Sequence, residues 1–198
     1  MKRLRLAAVS LLLAAIFAAI FPTEKDAEIY EDTVRLHILA ASDSATDQQL
    51  KYEIRDELLK NYGERLSDCK TAEEAESTAE GLLGEIEESV NGWIAERGFD
   101  YTATVSLGKE WYDTRKYADY TMPSGIYTSL CVVIDEGRGQ NWWCVMYPPL
   151  CTELATENAP RDDGLIDYTK EEIRLISSGE YNVKFKTLEI ISSTFRKK

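Results

Sequence analysis

His37 is the only histidine of the chain, and four cysteines accompany it: Cys69, Cys131, Cys144 and Cys151. A thiol becomes a nucleophile at neutral pH when a neighbouring base takes its proton. Cys144 with His37, and Asp43 to orient the ring, would form such a set. No Gly-x-Ser-x-Gly and no local cysteine-protease signature supports it. A strand histidine at a surface or interface position is the plainer reading of His37. Metal chemistry fares no better, since one His without a Cys-x-x-Cys pair offers no ready zinc ligand set. Asp43 and Asp47 offer oxygens to a calcium ion, but the rest of a calcium loop is missing, and Ser or Asp ahead of a helix is ordinarily a cap. Gly137-Arg138-Gly139 lacks the helix and the Gly-Lys-Ser/Thr of a phosphate loop and reads as a turn. Glu73, Glu74, Glu76, Glu80, Glu85, Glu87 and Glu88 fall mostly on the solvated side of an amphipathic helix. The sequence therefore predicts no catalytic residue, no metal site and no cofactor: a binding protein rather than an enzyme.

Binding chemistry is concentrated in Gly139 to Cys151, which holds Trp142, Trp143, Tyr147, Pro148, Pro149 and Leu150 together with Cys144 and Cys151. Neither proline can donate to a sheet ladder. The segment thus reads as a strand that runs off the sheet edge into a stiff loop, a shape that suits recognition better than turnover. Trp142, Cys144 and Met146 alternate with Trp143, Val145 and Tyr147, so both faces are apolar. That pattern predicts a central strand covered on both sides, with at most one Trp exposed. The four cysteines allow three pairings. The short Cys144–Cys151 loop is closable and would lock the Pro-Pro step, leaving Cys131 with Cys69; the alternative is four small buried thiols.

These groups need a scaffold, and composition allows one. The chain has 198 residues, 44% of them hydrophobic, enough for one domain with a real core. Acidic residues outnumber basic ones 35 to 23, a net charge of −12. That sign argues against a nucleic-acid partner, whose affinity comes from Lys and Arg releasing counterions. At the amino terminus Lys2, Arg3 and Arg5 precede an uncharged stretch from Leu6 to Phe21. As a helix it would reach roughly 24 Å, short of the ~30 Å hydrocarbon core. Residues 1–22 are read as an export signal or an amino-terminal anchor, with transient membrane contact through this segment. The domain would then lie outside the cytoplasm.

Residues 23–32 are polar and acidic and predict a linker. Val34, Leu36 and Ile38 alternate with Arg35 and His37 as a strand. Thr46 with Gln49 predicts a capping box, followed by a helix burying Leu50, Ile54, Leu58 and Tyr62. Asp47 with Lys51 would form a solvent-side pair on it. Thr71 with Glu74 caps a second helix burying Ala75, Ala79, Leu82, Ile86, Val90 and Ile94, in which Gly81 and Gly84 suggest tight packing or a bend. Tyr101 to Leu107 is a strand, residues 109–125 are irregular, and Ile126 to Asp135 is a strand joined by a Gly137–Gly139 hairpin to Gln140–Tyr147. Thr169 with Glu172 predicts a short helix to about Ser178, and Val183 to Phe195 fits strand or helix. The sum is an α/β fold of the α+β type, order β-α-α-β-β-β: a small, mainly antiparallel sheet packed against two amphipathic helices. The core spans 33–151 and a carboxyl-terminal extension spans 152–198.

Val34 to Ser44, Asp47 to Lys51 and Ile54 to Asp56, then Met122 to Tyr127 and Gly137 to Cys151, occur in the order found in the stage II sporulation protein R family, and the chain resembles that family over most of 33–151. Ala41 stands where the family commonly has Asn. The resemblance implies signalling rather than catalysis. A family member is exported from the forespore into the intermembrane space, where it activates a membrane-embedded aspartic protease of the mother cell that processes a pro-sigma factor (pro-sigma-E). Carried onto this chain, it makes Trp142 to Cys151 and the Ser42-Asp43-Ser44 turn the candidate contact surfaces. The competing classes are an exported cell-wall-binding module and the cysteine-dependent hydrolase.

Overall fold

The computed structural model describes residues 24–117, 120–150 and 168–177, with isolated positions at 5, 9–11 and 14. The export-signal segment, Cys151 and the Val183–Phe195 stretch thus lie outside the described residues or nearly so. Among the described residues no helix is long and apolar enough to cross a membrane. They fall into two compact units, one built around residues 30–110 and 127–169, the other around 111–126 with both chain ends.

The larger unit carries the sheet and both long helices. The alternating run produces β1 (Val34–Leu39), but both of its faces are buried, Arg35 and His37 included. Within the stretch expected to be a linker, helix α1 (Glu24–Glu31) forms and buries Ile29; its residues up to Ile29 belong to the smaller unit. Helices α2 (Ala45–Ser67) and α3 (Ala72–Glu96) follow, then β2 (Ala103–Tyr112), β5 (Gly125–Ile134) and β6 (Asn141–Tyr147). The sheet order is β2-β5-β1-β6, with β1 parallel to β5 and antiparallel to β6. Asp135 N–H donates to Thr102 O at 2.8 Å, which sets the end of β5 beside the start of β2 as in an antiparallel pair. The architecture is the expected α+β type, a mainly antiparallel sheet packed against helices.

Two neighbours differ from expectation. β5 and β6 are not a hairpin, because β1 lies between them and the 135–140 connection crosses its end. For the same reason β6, expected to be central, is with β2 an edge strand of the described sheet, and β5 and β1 are the inner ones. Alternation assigns faces but not neighbours, and a Gly-x-Gly turn serves a crossover as well as a hairpin.

One face of the sheet meets the helices in a single core of Leu36, Ile38, Leu130, Val132, Cys144 and Met146 with Leu50, Ile54, Leu58, Ala75, Ala79, Ile86 and Val90. Ser44, not Thr46, caps α2; Thr71 caps α3 as expected, accepting from the Glu74 N–H. Gly81 and Gly84 are exposed, and a Cβ at either meets nothing within 4 Å. Neither tight packing nor contact explains them, so Gly84→Ala is expected to stabilise the domain by about 0.5–1 kcal/mol in urea unfolding.

The smaller unit contains the antiparallel pair β3 (Arg115–Lys116) and β4 (Thr121–Met122), in a stretch expected to be irregular. Tyr117 and Tyr120 stack at 4.7 Å across its turn. Helix α4 (Lys170–Ser177) forms where the sequence predicts it and packs on β4.

Candidate functional site

Leaving β1, the chain turns through Ser42, Asp43 and Ser44 into α2. Ser44 Oγ accepts from the Asp47 N–H at 3.1 Å, Ser42 Oγ donates to the Asp47 carboxylate, and Gln48 Nε2 donates to Ser42 O at 2.8 Å. Asp43 and Ser44 remain exposed. The β5–β6 crossover packs on this turn: Gly139 N–H donates to Ala40 O at 2.8 Å. Lys51, 1% exposed, fastens the two, donating to Gln48 Oε1 at 2.6 Å and Gln140 O at 3.1 Å. Burial lowers the pKa of its ammonium, an effect the nearby Asp43 charge opposes. The expected solvent-side Asp47–Lys51 pair is therefore interior, and each partner serves a different contact.

Trp142 and Trp143 follow on opposite faces of β6. Trp142 is half-buried on the helix side, where the Arg55 guanidinium sits 5.1 Å from its ring centroid and 5.2 Å from that of Tyr52. Tyr52 is 39% exposed. A guanidinium held between two aromatic faces gains about 0.5–2 kcal/mol, and Trp, Tyr and Arg are the residue types that dominate binding hot spots. Beside the first turn of α2 lies a groove of about 520 Å³ lined by Thr46, Gln49, Glu53, Arg97 and Phe99. Arg97 is anchored there, its Nε donating to Glu53 at 2.6 Å.

Tyr147, Pro148, Pro149 and Leu150 lie at the far end. β6 is seven residues long, so its ends are roughly 20 Å apart. Tyr147 is 2% exposed and belongs to the core, the Tyr147–Pro148 peptide is cis, and Pro148 is buried. Pro149 and Leu150 are half-buried, with Leu150 N–H donating to Pro148 O at 2.7 Å. The residues singled out in the sequence thus do not form a single patch. Trp142 lies toward the end of β6 that the crossover and the Ser42–Ser44 turn adjoin, the proline corner at the other end, and Trp143 on the opposite sheet face. The expected Cys144–Cys151 link falls on Cys151, outside the described residues, while Cys69 and Cys131 are free thiols and do not pair with each other.

On the opposite sheet face Trp143 stacks on His37, centroids 3.7 Å apart and planes 15° apart. His37 is no surface histidine: it is 6% exposed, with Nδ1 3.2 Å from Glu110 Oε2 and Nε2 3.1 Å from Asn141 Oδ1. Register separates it from Cys144. His37 is level with Cys131 and Trp143, whereas Cys144 is level with Leu36 and points into the helix-side core. The thiol beside His37 is Cys131, with Sγ 3.7 Å from Nδ1. Burial, reinforced by the Glu110 charge, pushes that thiol up to about 12. Alkylation of Cys131 at pH 8 is therefore expected to run about a thousandfold slower than that of a free thiol, as read by mass spectrometry of the labelled peptide. Burial alone would raise the Glu110 carboxyl, but hydrogen bonding with His37 and Ser129 outweighs it and leaves the group below its usual range.

Tyr52 and Arg55 were not legible as site residues, although an aromatic off the Leu50–Ile54–Leu58 stripe is a usable signal. Glu110, Cys131 and Asn141 carry no local signal.

A family model described as stage II sporulation protein R (spore_II_R) matches residues 30–157. Stage II sporulation protein R of Bacillus subtilis (strain 168) is 36% identical over 123 residues, 62% of this chain and 55% of that protein. The chain thus spans about half the length of the curated relative it matches. No solved structure matches.

Proposed function

Because the chain belongs to the stage II sporulation protein R family and so serves sporulation, we propose that it is an exported signalling protein that activates a membrane-embedded aspartic protease of the mother cell, leading to processing of pro-sigma-E. It reaches the intermembrane space from the forespore, and it acts by binding. The observation that carries the reading is the family match over 30–157, which takes in the whole of the predicted 33–151 core. Surface chemistry agrees with it: the Tyr52–Arg55–Trp142 cluster has the composition of a protein-binding centre.

A binding protein activates a receptor only if it holds the active state more tightly than the inactive one. Ten- to hundredfold activation corresponds to about 1.4–2.8 kcal/mol of differential affinity, within reach of one or two aromatic anchors. The test is co-purification of the full chain with the candidate protease in reconstituted membranes, with precursor cleavage as readout. Cleavage that requires the added chain is the expected result. Equal cleavage without it would end the proposal.

A further inference from the structure

We infer that His37, Glu110 and Cys131 form a binding site for a borderline-soft divalent metal ion of the zinc class. The three residues come from adjacent strands, β1, β2 and β5, in the sheet order β2-β5-β1, and their side chains converge on one sheet face. Their ligand atoms all lie within 4.8 Å of one another. Zinc bonds of about 2.0–2.3 Å at tetrahedral angles separate N from O by about 3.4 Å and N from S by about 3.6 Å. The corresponding separations here are 3.2 Å for Nδ1 to Oε2 and 3.7 Å for Nδ1 to Sγ. One nitrogen, one oxygen and one sulfur donor suit zinc better than magnesium or calcium, which take oxygen sets.

The remaining imidazole nitrogen supports the same assignment. Nε2 lies 3.1 Å from Asn141 Oδ1, an acceptor that would hold the Nε2 proton once a metal ion occupies Nδ1. With the thiol proton released, carboxylate and thiolate neutralise a divalent ion, as a largely buried site requires. The geometry does not suit a thiol–imidazole–carboxylate relay, because Cys131 and Glu110 share Nδ1, whereas a relay needs them on different nitrogens. Trp143, stacked on the ring, fixes its plane. Bound metal would cross-link three strands that the sequence places far apart.

The test uses the full chain, stripped with a chelator and titrated with Co²⁺ and then Zn²⁺. One equivalent of Co²⁺ is expected to produce a thiolate-to-cobalt charge-transfer band that Zn²⁺ abolishes. Zn²⁺ at a hundredfold excess over its Kd is expected to raise Tm by about 5–10 °C. Cys131→Ser should lose the band, while Cys69→Ser and Cys144→Ser keep it. Zinc-edge X-ray absorption on the unmutated chain, which needs no folded variant, should show one sulfur among nitrogen and oxygen neighbours. No saturable Co²⁺ binding, a band that survives Cys131→Ser, or a zinc shell with no sulfur or several would each overturn the site and leave a plain imidazole–carboxylate pair.

Discussion

The full chain carrying Trp142→Ala is expected to fold normally and to trigger precursor cleavage about 10- to 100-fold less well than the native chain. Trp142 is only half-buried, and its cationic neighbour Arg55 keeps Tyr52 and Asp56 as partners when the indole is removed. Its loss therefore costs the folded state little and the complex much. Trp143, one residue on, is the control. It is stacked on His37 at 3.7 Å, so Trp143→Ala should lower stability by about 2–3 kcal/mol and reduce signalling through loss of folded protein. Urea unfolding paired with the cleavage assay distinguishes the two. Normal signalling by folded Trp142→Ala would remove the aromatic cluster from the receptor contact and move attention to Pro149 and Leu150.

Gly139→Ala is expected to destabilise the domain by about 2–3 kcal/mol. A Cβ at this position would lie 2.3 Å from Ser42 O, 2.6 Å from Ser42 C and 2.9 Å from Ala40 Cβ. The first two obstacles are backbone and cannot rotate away. The crossover must lift off, breaking the Gly139–Ala40 bond and the Lys51–Gln140 contact together. Because these bonds align the Ser42–Ser44 turn with Trp142, signalling should fall even at temperatures where the variant is folded. A wild-type unfolding midpoint with full cleavage activity would show that the crossover is not seated on Ser42.

The helices were readable because their signals are local. The four-residue spacing of Leu50, Ile54 and Leu58 and the Thr71–Glu74 cap each act within a turn or two of chain. The cap of α2 falls two residues earlier than expected because Ser42, Asp43, Ser44 and Thr46 are all competent caps; Ser44 takes the role by accepting from the Asp47 N–H. The Asp47–Lys51 spacing fits a solvent pair equally well, until Tyr101 and Gln140 arrive from the segments leading into β2 and β6 to claim the two side chains. Of the residues the sequence singled out, Trp142 lies toward one end of β6, Tyr147 is core and the proline corner lies at the other end, a separation that composition does not record.

By itself the sequence determined the types of the long helices and main strands, the helix-side core and the family, since period, caps and ordered motifs are written within short windows. Tertiary structure decided which strands are neighbours, and with that placed His37 beside Cys131 and Glu110 rather than Cys144. Those partners lie 94 and 73 residues from His37, and side-chain alternation records a face without recording who stands next to it.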